Sequence, residues 1–192
     1  MVQLLFSVIS GILCVIAYIP YLLNILSGKT KPERTSWFLW TVLGIISLAS
    51  QIDLGATFSL VLAFVLTLGS LVIFLLSLRY GSSGMFRRDF IALFFCLAGL
   101  VIWLYSGEPL VALTFNIIIG SMGALLTIIK VRKQPGTETT VTWLLASISG
   151  VFSLASIGKL DVALIAYPTY IIVTNFAVFV ASIKPRDMSD LL

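Results

Sequence analysis

The chain contains no histidine, only two cysteines and few charges. Its 192 residues carry twelve lysines and arginines and eight aspartates and glutamates, together 10% of the chain. A soluble domain would carry about 25%. So few charges cannot make a water-facing surface when 59% of residues are hydrophobic. These shortages exclude a soluble globular domain, a disordered chain and a nucleic-acid binder. A net charge of +4 is too small to indicate an acidic partner. Without histidine, the commonest metal ligand and general base is missing. Cys14 and Cys96 lie inside apolar runs and form no CxxC pair, so they read as small buried hydrophobes rather than a zinc or redox site. No cofactor is expected. There is also no embedded carboxylate pair and no nucleophile beside a base, so the chain is not expected to be an enzyme.

What the chain has in abundance is long apolar runs, with a mean hydropathy of +1.12. They predict an all-α integral membrane protein with seven spans. The spans are Val2–Leu26, Ser36–Gln51, Ala56–Leu78, Phe90–Tyr105, Pro109–Ile129, Val141–Ile157 and Val162–Ile183. The first is too long for a signal-peptide core and no basic segment precedes it, so it reads as a retained helix. Lys29, Lys31 and Arg34 follow the first span; Arg79, Arg87 and Arg88 the third; Lys130, Arg132 and Lys133 the fifth; Lys184 and Arg186 the seventh. Eleven of the twelve basic residues therefore share one side, with Lys159 alone on the other. The positive-inside rule makes that side cytoplasmic. The expectation is a multi-pass protein of the cell (inner) membrane, N-terminus outside and C-terminus inside.

An internal repeat is visible. Trp37–Ser50 reads WFLWTVLGIISLAS and Trp143–Ser156 reads WLLASISGVFSLAS, identical at seven of fourteen positions. Apolar helices resemble one another by composition, which discounts the Leu and Ala matches but not the Trp, Gly and Ser ones. Lys31-Pro32 and Lys133-Gln134-Pro135 precede the two segments, and Asp53 and Asp161 follow them. The predicted organisation is a first three-helix repeat over 1–79, a linker with the fourth helix over 80–107, a second repeat over 108–184 and a tail over 185–192. An odd linker helix gives the repeats the same orientation, so they are parallel, in a 3+1+3 arrangement. The fourth span, FIALFFCLAGLVIWLY, has no charged or amide side chain and suits a lipid-facing linker.

This 3+1+3 layout, with its outer N-terminus and basic inner face, resembles the SWEET and PQ-loop transporters over nearly the whole chain. The proline of the PQ-loop signature stands in Tyr18-Ile19-Pro20-Tyr21. The resemblance implies a transporter or facilitator in which two three-helix units rock around a solute. It also implies that Asn175, in the seventh helix, meets the substrate.

The residues give their own reasons for a site. Asn175 is a mid-span amide, costly without partners; glue between helices is the competing explanation. Thr67 and Ser70 are its rough counterparts in the third helix. Gly55, Ser59, Ala63 and Thr67 recur every four residues, which reads as a packing face for the first three. Tyr18, Tyr21, Tyr167 and Tyr170 lie deep enough to line an amphipathic pocket. Asn116 is a further polar candidate in the fifth helix. Pro20 and Pro168 interrupt helical hydrogen bonding and read as hinges, and Asn24 as a gate or cap. Trp37, Trp40 and Trp143 read as interfacial anchors, poor candidates for stacking on a substrate. The Gly44/Ser47/Ser50 and Gly150/Ser153/Ser156 stripes read as packing seams.

No ionisable residue falls clearly inside a span, which favours an uncoupled facilitator of a small polar, mostly neutral solute. The alternative is a non-transporting receptor or an accessory subunit. A retinal receptor is excluded, since Val162–Ile183 holds no lysine. The expected partners are the lipid bilayer and a small-molecule solute, with no nucleic acid; homo-oligomerisation is left open.

Overall fold

A computed structural model describes residues 1–53, 55–58, 60–82, 87–158 and 161–183. Among them are seven helices and no strand: α1 (Val2–Leu26), α2 (Arg34–Asp53), α3 (Leu60–Tyr80), α4 (Arg87–Ser106), α5 (Pro109–Lys133), α6 (Thr140–Ala155) and α7 (Val162–Ser182). Among the described residues, five stretches are long and apolar enough to cross a membrane, and they fall in α1, α2, α3, α5 and α7. At 16 residues α6 is apolar but shorter.

Local chemistry explains most boundaries. Pro109 opens α5, where its missing N–H costs nothing. Gly28 and Gly136 turn the chain just beyond α1 and α5, with φ of +74° and +80°. Two expected boundaries need correction. First, α3 starts at Leu60 rather than Ala56, because Gly55 sits in a turn with φ of +73°. The four-residue stripe therefore reduces to Ala63 and Thr67 on one helix, and Ser59 lies outside the described residues. Second, α5 continues past Ile129 to Lys133. Lys130, Arg132 and Lys133 are thus helical residues of its last turn, where the helix dipole favours cations.

Six helices form a closed ring in the neighbour order α1, α3, α2, α5, α7, α6 and back to α1. Helix α4 lies outside this ring, against α5 and, less extensively, α2. The ring turns an ordinary soluble fold inside out. The buried face of α1 is Ser7, Ser10, Gly11, Cys14, Ala17, Tyr21 and Ile25, mostly small or polar. Its exposed face carries Leu5, Val8, Ile12, Val15, Ile19 and Leu23. In α4, Phe90, Phe94, Phe95 and Leu97 are exposed while Cys96 is buried. Apolar side chains that face outward and small ones that face inward are the arrangement a lipid solvent selects.

Hydrogen bonds to backbone carbonyls fasten the seams. Ser10 Oγ donates to Ser149 O at 2.8 Å, and Asn116 Nδ2 donates to Leu43 O. Ser36 Oγ donates to Gly123 O and Thr142 Oγ1 to Ala17 O, both at 2.8 Å. A shift of 106 positions converts the first bond of each pair into its counterpart, with donor and acceptor helices exchanged between the α1–α6 and α2–α5 seams. At the ends of α3 and α7, Arg34 donates to Ser77 O and Thr140 to Ser182 O, tying α2 to α3 and α6 to α7.

The small-residue seams are tight. A Cβ added to Gly44 would lie 2.6 Å from Thr67 Oγ1, and one on Gly150 would lie 2.8 Å from Ile172 Cγ1 and 3.3 Å from its backbone nitrogen. Both glycines therefore act as packing positions, as their stripes suggest. Gly150→Leu is expected to force α6 from α7 and to cost about 1–3 kcal/mol, the usual penalty of overpacking. Val151→Leu, on the exposed side of the same helix, should leave the melting temperature in detergent unchanged.

Candidate functional site

The ring encloses a cavity of about 70 Å³, walled by side chains from α1, α2, α3, α5, α6 and α7. Asn175, Thr67, Ser70, Tyr18, Tyr167, Tyr170 and Asn116 all border it. Seven of the eight residues expected to bind solute thus converge on one space. The eighth, Tyr21, does not. It is fully buried one layer nearer the basic end, where its hydroxyl accepts Trp37 Nε1–H at 3.2 Å.

The two amides are held differently. Asn116 Nδ2 crosses the ring seam to Leu43 O, so it serves as glue between α5 and α2 as well as wall. Asn175 Nδ2 donates at 2.8 Å to Ile171 O of its own helix. That bond fixes the side chain without joining two helices, so interhelical glue does not account for it. Pro168 is buried in α7 between Tyr167 and Tyr170, and Pro20 is half-buried in α1 beyond Tyr18. Each interrupts the backbone ladder of a helix that walls the cavity.

The tryptophans overturn the interfacial expectation. Trp37 and Trp143 are 4% exposed, and both border the cavity together with Trp40. Helices α2 and α6 begin at Arg34 and Thr140, so each of these two indoles stands about one turn inside its helix, on the face toward the ring centre. Ring centroids lie 5.0 Å apart for Trp37 and Trp40, 5.9 Å for Trp37 and Trp143, and 5.8 Å for Trp40 and Trp143. Together with Tyr21 they make an aromatic floor at the basic end of the cavity. Every indole N–H of the floor is satisfied. Trp40 Nε1 donates to Gly120 O at 3.0 Å, and Trp143 Nε1 to Glu138 Oε2 at 3.1 Å.

Glu138 leads to a layer that the sequence reading did not assemble. Its carboxylate is fully buried and pairs with Lys130 Nζ. Lys130 Nζ also donates to Lys31 O at 2.8 Å and Thr137 O at 3.3 Å. The α1–α2 and α5–α6 loops are thereby tied together. Three more bonds reinforce the tie: Lys31 N–H to Thr137 O at 3.1 Å, the Thr30 and Thr139 hydroxyls at 2.7 Å, and Asn24 Nδ2 to Thr139 Oγ1 at 3.0 Å. Asn24 is therefore part of a clasp between loops, not the cap of its own helix. Lys130 was expected only to mark the membrane side; it is instead an ionisable group buried within α5. Sequence offered one signal for this, a lysine and a glutamate eight residues apart around a Pro-Gly turn.

At the opposite end, α1 meets the segment before α3 and the end of α6. Ser7 Oγ donates to Phe58 O, and Phe6 packs on Phe152 with centroids 6.0 Å apart. A hollow beside them is bordered by Gln3, Thr57, Ser156 and Gly158. Among the described residues no cluster of His, Cys, Asp or Glu could hold a metal ion.

Removing one partner of a buried ion pair strands the other. Glu138→Leu or Lys130→Met alone is expected to lower stability by about 3–5 kcal/mol, and the double variant should lose much less. Thermal melting of the three variants in one detergent checks this. No family model, curated protein or solved structure matches the chain.

Proposed function

We propose that the chain is a membrane carrier for a small polar solute, built from two like-oriented three-helix units, α1–α3 and α5–α7, with α4 as linker. The units enclose the solute and rock around it, opening the cavity to one side at a time. This is the mode of the SWEET and PQ-loop transporters that the sequence resembles. The observation that carries the reading is a cavity walled by both units and closed at the basic end by a clasp whose halves come one from each. The seam bonds related by one shift of 106 positions support the duplication. All seven helices cross the cell membrane, with the basic end cytoplasmic and the N-terminus outside, in keeping with the positive-inside rule.

Alternating access makes a prediction that needs no known solute. Cys14 borders the cavity, and its thiol is a native reporter. In a Cys96→Ser background, a membrane-impermeant maleimide should label Cys14 from either face of oriented vesicles. Thr30→Cys with Thr139→Cys, replacing hydroxyls 2.7 Å apart, should form a disulfide across the clasp. Oxidation should then abolish labelling of Cys14 from the basic side alone, and reduction should restore it. A receptor or accessory subunit would show the same labelling with the clasp locked or open.

A further inference from the structure

The polar groups around the cavity have spent nearly all their protons. Thr67 Oγ1 donates to Ala63 O at 2.7 Å, Ser70 Oγ to Thr67 O at 2.9 Å and Thr174 Oγ1 to Tyr170 O at 2.7 Å. Thr142 Oγ1 donates across the seam and Tyr18 Oη to Leu66 O at 3.2 Å. The three indole N–H groups are spent on Tyr21, Gly120 and Glu138. A hydroxyl that gives its proton to a helix carbonyl still presents oxygen lone pairs. What remains to donate is neutral and sparse: one amide N–H each from Asn116 and Asn175, the hydroxyls of Tyr167 and Tyr170, and the weak Cys14 thiol. What remains to accept is plentiful: hydroxyl and carboxamide oxygens, and the negative faces of the aromatic floor.

A wall of this kind discriminates by charge. An anion would lose its hydration and meet no cationic donor, since among the described residues no Lys or Arg borders the cavity. A zwitterion would suffer the same loss at its carboxylate. An ammonium group, which only donates, meets oxygen lone pairs and indole faces together, the combination that holds organic cations in aromatic sites. The acceptance of the Trp143 N–H by an anionic carboxylate raises the electron density of that indole further.

We infer that the solute is a small organic amine bound as its monocation and lacking a carboxylate. This deepens the carrier reading and rests on it. It replaces the mostly neutral solute expected from sequence with a charged one, matched by oxygen and π acceptors rather than by a counter-ion.

The test is a chain-matched series that differs only in the head group: n-butylamine, 1-butanol, butyrate and 2-aminobutyrate, with glucose added. Each is titrated calorimetrically into the full-length protein in nanodiscs, with empty nanodiscs subtracted. Butylammonium should bind at least tenfold more tightly than butanol, and butyrate, 2-aminobutyrate and glucose should show no saturable binding. Thr67→Val with Thr174→Val should weaken the amine at least fivefold. Asn175→Asp, which adds a negative charge to the wall, should tighten it severalfold, a gain that misfolding cannot mimic. Binding of butyrate, 2-aminobutyrate or glucose as tight as that of the amine overturns the inference, as does saturable binding of none of the five. The Cys14 labelling pattern is read independently, so the carrier reading can survive that failure or fall by itself.

Discussion

Within a bilayer, a polar side chain that lies inside a helix bundle has no water to turn to, and its proton must go to a neighbour. Most of the hydroxyls and amides around the ring answer that constraint with a backbone carbonyl. Some choose a carbonyl of another helix, as Ser10, Ser36, Asn116 and Thr142 do, and so hold the seams. Others choose their own preceding turn, as Thr67, Thr174 and Asn175 do, and so stand along the cavity wall without bridging helices. The same rule thus gives the molecule its closure and gives the cavity its chemical sign. Apolar packing adds shape to this frame, but lipid is as apolar as leucine, so burial of apolar surface alone would not gather these helices.

Glu138 connects the cavity to the clasp. One oxygen of Glu138 takes the Trp143 N–H, and the other takes Lys130, which in turn reaches Lys31 of the opposite loop. Any movement of the Trp143 ring therefore pulls on the carboxylate that the clasp depends on. The arrangement places a buried pair of charges where a change at the cavity floor is felt at the basic end. It also explains why the floor is made of tryptophan: an indole offers a flat face on one side and an N–H at its edge, so one residue can line the cavity and hold the carboxylate behind it.

Helix number and most boundaries were legible because apolar run length and helix-breaking glycines act locally. The convergence of Asn175, Thr67, Asn116 and three of the four tyrosines, Tyr18, Tyr167 and Tyr170, was legible because a polar group in an apolar run has few tolerable places to be. Trp37 and Trp143 were misread because tryptophan near a helix end is commonest at the membrane surface, and sequence does not say which way a helix face is turned. Lys130 was misread for a related reason. A lysine at the end of an apolar run ordinarily reaches for water, and only the return of the chain through Gly136 brings Glu138 back to meet it. The start of α3 was misjudged because Ala56, Thr57 and Phe58 are apolar or neutral enough to continue a helix that Gly55 has already kept from forming.

The closed order of the ring has a consequence for how the molecule is made. Helix α1 precedes α6 by more than a hundred residues in the chain, yet it packs chiefly against it. Without α6, Ser10 has no Ser149 carbonyl and Ala17 no Thr142 hydroxyl, and the small-residue face of α1 lacks its main partner. Closure of the ring therefore depends on α6, which brings α1 its partners across a long stretch of chain.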